Sequence, residues 1–279
     1  FVAVSIDQVT VKQSPQETID LLQKSDQRPI NNLVDATNEA TLLYGIPSHV
    51  FDKDKLALQS LTIREAIQGE VVTTLDNDKV KLATGDIVIE DGSGRLVDLC
   101  GVMGGQIAEV DEHSKNIILI VPIYNPQKIR KTSLLHQKRS LAAQIYEKGP
   151  DPDLCLLVLS ILSKTIMDRA GGKISSKILD INNTQNTTKT IELSLTWLNN
   201  FAGIEIPPSE IISILNNLSF INPSINENKL SVGIPNFRAT DINIKEDLAE
   251  EIIRIYGYYK IPATLPPLSK TTAPSNPIF

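Results

Sequence analysis

The chain has little with which to hold a transition metal or build a covalent catalyst: two cysteines and three histidines in 279 residues. Cys100 and Cys155 stand apart with no CxxC pair, and no HExxH run occurs, so neither a zinc site nor a disulfide framework is supported. Isolated thiols of this kind suit a reducing compartment, and a cytoplasmic protein is expected. Three histidines also end the search for a Ser, His and Asp set, since none can be assembled from spacing. A net charge of -6 and a pI near 5.2 exclude the basic coat of a generic nucleic-acid binder, though local basic patches stay open. No apolar run approaches the roughly twenty residues of a membrane span, and no signal-peptide pattern is seen, so neither a span nor secretion is expected.

What is present is the composition of a globular protein. With 41% hydrophobic residues the chain can bury a substantial core, and its length suggests about two domains. The polar run Asn182-Asn-Thr-Gln-Asn-Thr-Thr-Lys189 has no apolar period and is the best linker candidate. The expected fold class is α+β, with domains at 1–181 and 190–265 and the start of a further segment at 266–279. The chain opens on Phe1 in a strand already under way, so it is read as part of a longer polypeptide.

In the first block Val2 to Val9 alternates like a strand, and Ser14-Pro15-Gln16-Glu17 spells a capping box ahead of a helix to about Lys24. A second helix is expected from Leu33 to Tyr44, closed by Gly45. Hairpins are expected around Asp76-Asn-Asp78 and Asp91-Gly-Ser-Gly94, and Ile117 to Val121 reads as a central strand. Helices should open at Asn125-Pro126 and Asp151-Pro152, the second apolar from Leu154 to Ile166. The second block should carry a strand from Ile191, a short helix through Trp197, a helix from Ser209 to Leu218, a strand pair around Asn226-Glu-Asn228 and an acidic last helix. That order suits a small winged-helix-like domain, an architecture that does not by itself decide function.

The acidic last helix is the densest cluster of candidate ligands. Asp241, Asp247, Glu250 and Glu251 gather around its start, the end where the macrodipole favours negative charge. Leu248, Ile252 and Ile255 form an apolar stripe, and Gly257 is a natural stop. Two readings stand: a site for a hard cation such as magnesium, or a solvated acidic face with Glu250 paired to Arg254. Elsewhere, Gly101-Val-Met-Gly-Gly105 could offer bare backbone N–H groups to an anion or could simply be a tight turn. It lacks the Lys and Ser/Thr of a phosphate-binding loop. His49, in a loop after a helix, could orient water or a hydroxyl, or could be a structural histidine bonded to backbone. His113 and His136 look ordinary.

Four stretches carry a resemblance: Arg28-Pro-Ile-Asn-Asn-Leu-Val-Asp-Ala-Thr-Asn38, Gly45-Ile-Pro-Ser-His-Val-Phe-Asp52, Gly101-Val-Met-Gly-Gly105 and Tyr146-Glu-Lys-Gly-Pro-Asp151. In order and content they resemble the editing module of the bacterial phenylalanyl-tRNA synthetase beta-subunit family. The acidic block at 238–262 resembles the module that follows. The resemblance implies an alpha-two beta-two assembly with an alpha subunit, joining phenylalanine to its tRNA with ATP and magnesium, the synthetic site lying on alpha. It implies that Asp241, Asp247, Glu250 and Glu251 bind Mg2+ in a site shared with the alpha subunit.

For the editing pocket the resemblance implies Asn38, His49, Ser140 in place of a Thr, Ala142, and Ile120 in place of the Glu that reads the tyrosine hydroxyl. The usual Thr-Glu-Ala-Ser-Tyr-Arg run stands here as Ser140-Leu-Ala-Ala-Gln-Ile145. An apolar wall cannot discriminate a hydroxyl as a hydrogen-bonding site can, so editing of tyrosyl-tRNA is expected to be weak or lost. A free-standing deacylase and a pure interaction module are the alternatives, and the first would need an intact pocket.

Overall fold

In the computed structural model residues 1–182 and 189–263 are described, and the chain divides into two compact units, 1–185 and 186–279. Most of the linker candidate and the segment 266–279 fall outside the described residues. The class is α+β.

The first unit is built on β9 (Asn116–Val121), whose Ile117, Leu119, Ile120 and Val121 are all buried. A strand buried on both faces reads as a continuous apolar run, and this one pairs on both edges. It lies antiparallel to β1 (Val2–Asp7) on one side and to β2 (His49–Asp52) on the other. The short β10 (Lys173–Ile174) and β11 (Leu179–Asp180) pair with the outer edge of β1. One face of this sheet is covered by α2 (Val34–Tyr44) and α5 (Leu154–Ala170), whose Ala36, Ala40, Val158, Leu159, Leu162 and Ile166 share a core with β1 and β9. Gly45 closes α2 in the left-handed conformation at φ 69°, a C-cap that glycine adopts without steric penalty. The other face packs on a second sheet in the order β3 (Leu61–Glu65), β6 (Ile87–Asp91), β7 (Leu96–Leu99), β8 (Met103–Gly104). The hairpin of β4 (Val71–Thr73) and β5 (Lys79–Lys81) contributes Val72 and Val80 to the same core.

Several expected boundaries moved, each for a local reason. The capping box does not form at α1 (Gln16–Lys24), because the Ser14 hydroxyl donates instead to Asp35 Oδ2 at 2.5 Å. At α5 the cap residue is Asp153, not Asp151, whose Oδ1 accepts from the Asp153 N–H. At α3 (Pro126–Leu135) the expected Asn125 cap is present, accepting from the Lys128 N–H. The sequence reading missed α4 (Leu141–Tyr146), capped by Ser140 and too short for a helical period to show.

The described residues of the second unit form a three-stranded antiparallel sheet, β12 (Thr190–Ser194), β14 (Lys229–Gly233) and β13 (Ile221–Asn226) in that order, and three α-helices. The helices α6 (Leu195–Ala202), α7 (Pro208–Asn217) and α8 (Lys245–Tyr256) enclose a core that includes Leu198, Ile211, Leu215, Leu230, Leu248 and Ile252. This arrangement is compatible with a winged-helix-like domain. On α8 the buried stripe is Leu248, Ala249, Ile252 and Ile253, so the expected Leu248 and Ile252 are buried while Ile255 faces solvent.

Candidate functional site

The motif residues of the first unit converge on one cavity of about 310 Å³, at the small end of the range that holds small ligands. Asn38 reaches it from α2, His49 from the first position of β2, Ser140 and Ala142 from the start of α4, and Gly101 to Gly105 from the turn between β7 and β8. His49 thus belongs to a strand and not to a loop. A larger cavity of about 850 Å³ lies along β1, α5 and β11 and contains none of these motif residues.

The glycine turn is not an anion cradle. The Val102 and Gly105 N–H groups donate to Leu99 and Val97 carbonyls, so the turn closes on itself. Its glycines serve close approach: a Cβ on Gly105 would lie 2.6 Å from the Val97 carbonyl oxygen, and one on Gly104 2.9 Å from Leu75 and 3.0 Å from the His49 ring. Gly104→Ala is therefore expected to displace His49 and destabilise the unit by about 1 kcal/mol, as overpacking does. Thermal unfolding together with the His49 ring shifts in NMR checks both, and an unmoved imidazole would contradict it.

His49 is half-buried against Phe51, ring centroids 4.5 Å apart, with no hydrogen bond to any described residue. Desolvation lowers its pKa to about 4, so at neutral pH the ring is uncharged. Ser140 is not a free hydroxyl: its Oγ donates to the Val102 carbonyl at 2.6 Å and accepts from the Ala143 N–H, tying α4 to the glycine turn. Tyr146 packs edge-on to Tyr124, and its hydroxyl lies 2.8 Å from the Pro47 and 3.0 Å from the Pro122 carbonyl oxygen.

Two findings alter the pocket expected from sequence. Ile120 is absent from the cavity lining; it is fully buried in the core with Phe51 and Val97, opposite His49 in the β2–β9 register. In its place as a distinctive group stands Asp98, on β7, which does line the cavity. Asp98 is 6% exposed and its carboxyl makes no hydrogen bond to a described residue. Burial raises its pKa to about 8, so at neutral pH it is mostly protonated.

In the second unit most of the acidic set is engaged in ion pairs and a helix cap. Asp241 precedes α8 and is held by Arg238, Nη2 to Oδ2 2.7 Å. Glu251, 8% exposed, accepts from Arg238 (3.1 Å) and from Arg254 (2.7 Å), and these partners, Arg238 foremost, depress its pKa to about 2. Arg254 therefore pairs with Glu251 and not with Glu250. Asp247 Oδ2 accepts from the Asn243 and Ile244 N–H groups, an N-terminal cap that holds its carboxyl below the usual range. Glu250 is exposed. Among the described residues no three His, Cys, Asp or Glu side chains gather in one place, so a magnesium ion here would be held by one or two of these carboxylates with oxygens from elsewhere.

A layered α+β unit with a small cavity, followed by a compact unit of helices and a three-stranded sheet, is also the order in which known families match. Residues 1–171 match the B3/4 domain and residues 191–258 the tRNA synthetase B5 domain; the chain belongs to the B3/4 domain family, with a B5 domain after it. The phenylalanine–tRNA ligase beta subunit of Staphylococcus aureus strain MRSA252 is 37% identical over 268 residues, 96% of this chain and 33% of that protein. That of strain RF122 is 36% identical over the same span. The chain spans about a third of the length of these relatives. A solved N-terminal fragment of the phenylalanyl-tRNA synthetase beta subunit from Pyrococcus horikoshii aligns over 92% of this chain and 70% of that one, at 16% identity and a TM-score of 0.43, too loose a match to bear on the fold.

Proposed function

We propose that the chain is the B3/4 and B5 portion of a phenylalanine–tRNA ligase beta subunit, acting in the cytoplasm with an alpha subunit in an alpha-two beta-two assembly that charges tRNA with phenylalanine using ATP. The observation that supports this reading is the similarity to such beta subunits along 96% of the chain, through both domains in order. No described helix is long and apolar enough to cross a membrane. Co-purification of the full beta subunit carrying this chain with its alpha subunit, and phenylalanylation by the pair but by neither alone, tests it. A beta subunit that elutes alone and leaves charging unaffected would refute it.

In this reading the cavity around His49 receives the aminoacyl end of tRNA, and its editing of tyrosyl-tRNA is weak. Position 120 carries no carboxyl and faces the core, and the Ser140 hydroxyl is tied to Val102. Tyrosyl-tRNA for phenylalanine incubated with the assembled enzyme should lose its ester little faster than without it. Rapid hydrolysis abolished by a His49 substitution would overturn the weakness while leaving the site in place.

The magnesium role of Asp241, Asp247, Glu250 and Glu251 is proposed for the assembled enzyme alone, where the alpha subunit completes the site. Within this chain arginines and a helix cap hold three of the four. Glu250 is exposed and outside that network, so Glu250→Ala is expected to raise the magnesium requirement of aminoacylation without changing thermal stability. An unchanged requirement would leave the cluster as an arginine clamp and nothing more.

A further inference from the structure

Asp98 is the most unusual polar group in the first unit. Buried carboxylates elsewhere in it have partners: Asp91 accepts from Arg95, Ser93 and the Ala57 N–H, Asp86 from Thr132 and the Ala83 N–H with His136 alongside, and Asp52 from Ser114 and the Asp54 N–H. Asp98 has none, although no buried side-chain oxygen or nitrogen among the described residues that is wholly shut from solvent lacks a partner. The two statements agree only if what remains of its exposure opens on the cavity it lines. A buried polar group without a hydrogen bond is expensive, and one that persists at a cavity wall marks where a ligand supplies the missing partner.

The surroundings specify that partner. Asp98 shares the cavity with the buried rings of Tyr124 and Tyr146, with Val102 and Met103 beside them, so the ligand group that enters is largely apolar and of aromatic shape. His49 is uncharged at neutral pH and no Lys or Arg lines the cavity. With its pKa raised by burial, Asp98 is itself mostly neutral, and a protonated carboxyl both donates and accepts. A hydroxyl does the same. A cationic ligand group would find its charge partner at Glu109, the exposed acid of the same cavity, without entering it.

We propose that Asp98 is the specificity-determining residue of this cavity, hydrogen-bonding the hydroxyl at the tip of a phenolic acyl group and so separating a tyrosyl from a phenylalanyl end. The proposal rests on the reading of the cavity as the site for the aminoacyl end of tRNA. Asp98 then performs on β7 the discrimination that Ile120 on β9 cannot perform. Weak hydrolysis is compatible with it, because recognition of the hydroxyl and attack on the ester are separate tasks and Asp98 serves only the first.

Binding, not turnover, is therefore the readout. The probes are 3′-tyrosylamino- and 3′-phenylalanylamino-3′-deoxyadenosine, whose amide resists hydrolysis, in equilibrium dialysis against the assembled enzyme with the synthetic site saturated by a phenylalanyl-adenylate analogue. In the parent the tyrosyl probe should bind about 10- to 100-fold tighter, the range set by leaving one buried polar group unpaired. Asp98→Leu should bring the ratio to near one by weakening the tyrosyl probe and sparing the phenylalanyl probe, and Asp98→Asn should keep part of it. Retention of the full ratio in Asp98→Leu would overturn the role of Asp98 and leave the cavity's assignment standing. Failure of the parent to bind either probe would overturn the assignment and the inference with it.

Discussion

Between pH 6.5 and 8 the first unit should lose about 1 kcal/mol of unfolding free energy, and Asp98→Asn should abolish that loss. Asp98 titrates near 8 when folded against an ordinary value of 3.8, so between these limits the native state keeps a proton that the unfolded chain has released. Stability then falls as pH rises. His49 acts in the opposite sense: its pKa of about 4, against 6.5, means the unfolded chain binds the extra proton, and stability grows as pH climbs from 4 to 6.5. The two limbs oppose each other until the unfolded histidine is discharged, about one unit above 6.5, and beyond that Asp98 acts alone. The neighbouring Cys100, Tyr124 and Tyr146 do not interfere, since burial drives all three upward out of the window. In Asp98→Asn the rising limb of His49 is left unopposed, giving a gain of about 2 to 3 kcal/mol from pH 4 to 6.5 and a plateau beyond. The NMR signals of the Tyr124 and Tyr146 rings follow this unit; parallel parent and variant curves would refute it.

Arg238→Ala should destabilise the second unit by about 2 to 3 kcal/mol, less than the loss of a fully buried pair because Arg254 still faces Glu251. Arg238 is the link between the loop before α8 and the helix itself, bonding Asp241 and Glu251 at once. Its removal leaves Glu251 at 8% exposure with one arginine that is itself half in solvent. The pH signature is specific. Glu251 has a folded pKa of about 2, below its ordinary 4.5, so its contribution is complete above 4.5 and is lost as pH falls through 2. In the variant that acid-side loss should shrink, while Glu250→Ala should leave it intact. The single tryptophan, Trp197, stacks on Phe201 at 5.0 Å with Lys245 of α8 4.2 Å above its ring, so its fluorescence reports this unit alone. Equal acid limbs in parent and Arg238→Ala would contradict the assignment.

What the sequence disclosed and what it concealed follow from range. The β9 strand and both hairpins were legible because apolar runs and turn residues act over a few positions. Ile255 was wrongly placed in the stripe because helical period alone does not say where the stripe is centred; the fold buries Ala249 and Ile253 beside Leu248 and Ile252. The ion pairing of the acidic set was misread for a longer-range reason: spacing suggested Glu250 with Arg254, but Arg254 meets Glu251, and the Arg238 that also takes Glu251 lies thirteen residues upstream and is brought there by the turn ahead of α8. Asp98 was hidden altogether. All four residues of β7 are buried, so alternation gives no hint that one of them is an acid facing inward. Only the closure of β8, α2 and α4 around it makes a cavity for that carboxyl to face. Asn38 was found through family resemblance alone, whereas His49 also stood out locally as an imidazole just after a helix.

The Tyr146 hydroxyl has one proton and two carbonyl acceptors, Pro47 before β2 and Pro122 after β9, and neither of those residues has an N–H with which to bond elsewhere. A single phenol thus staples together two segments whose dihedral freedom proline has already reduced. The entropy of ordering this wall is lost once, during folding, and none of it is left to oppose an incoming ligand. The recess is in effect a mould cast before anything is poured into it.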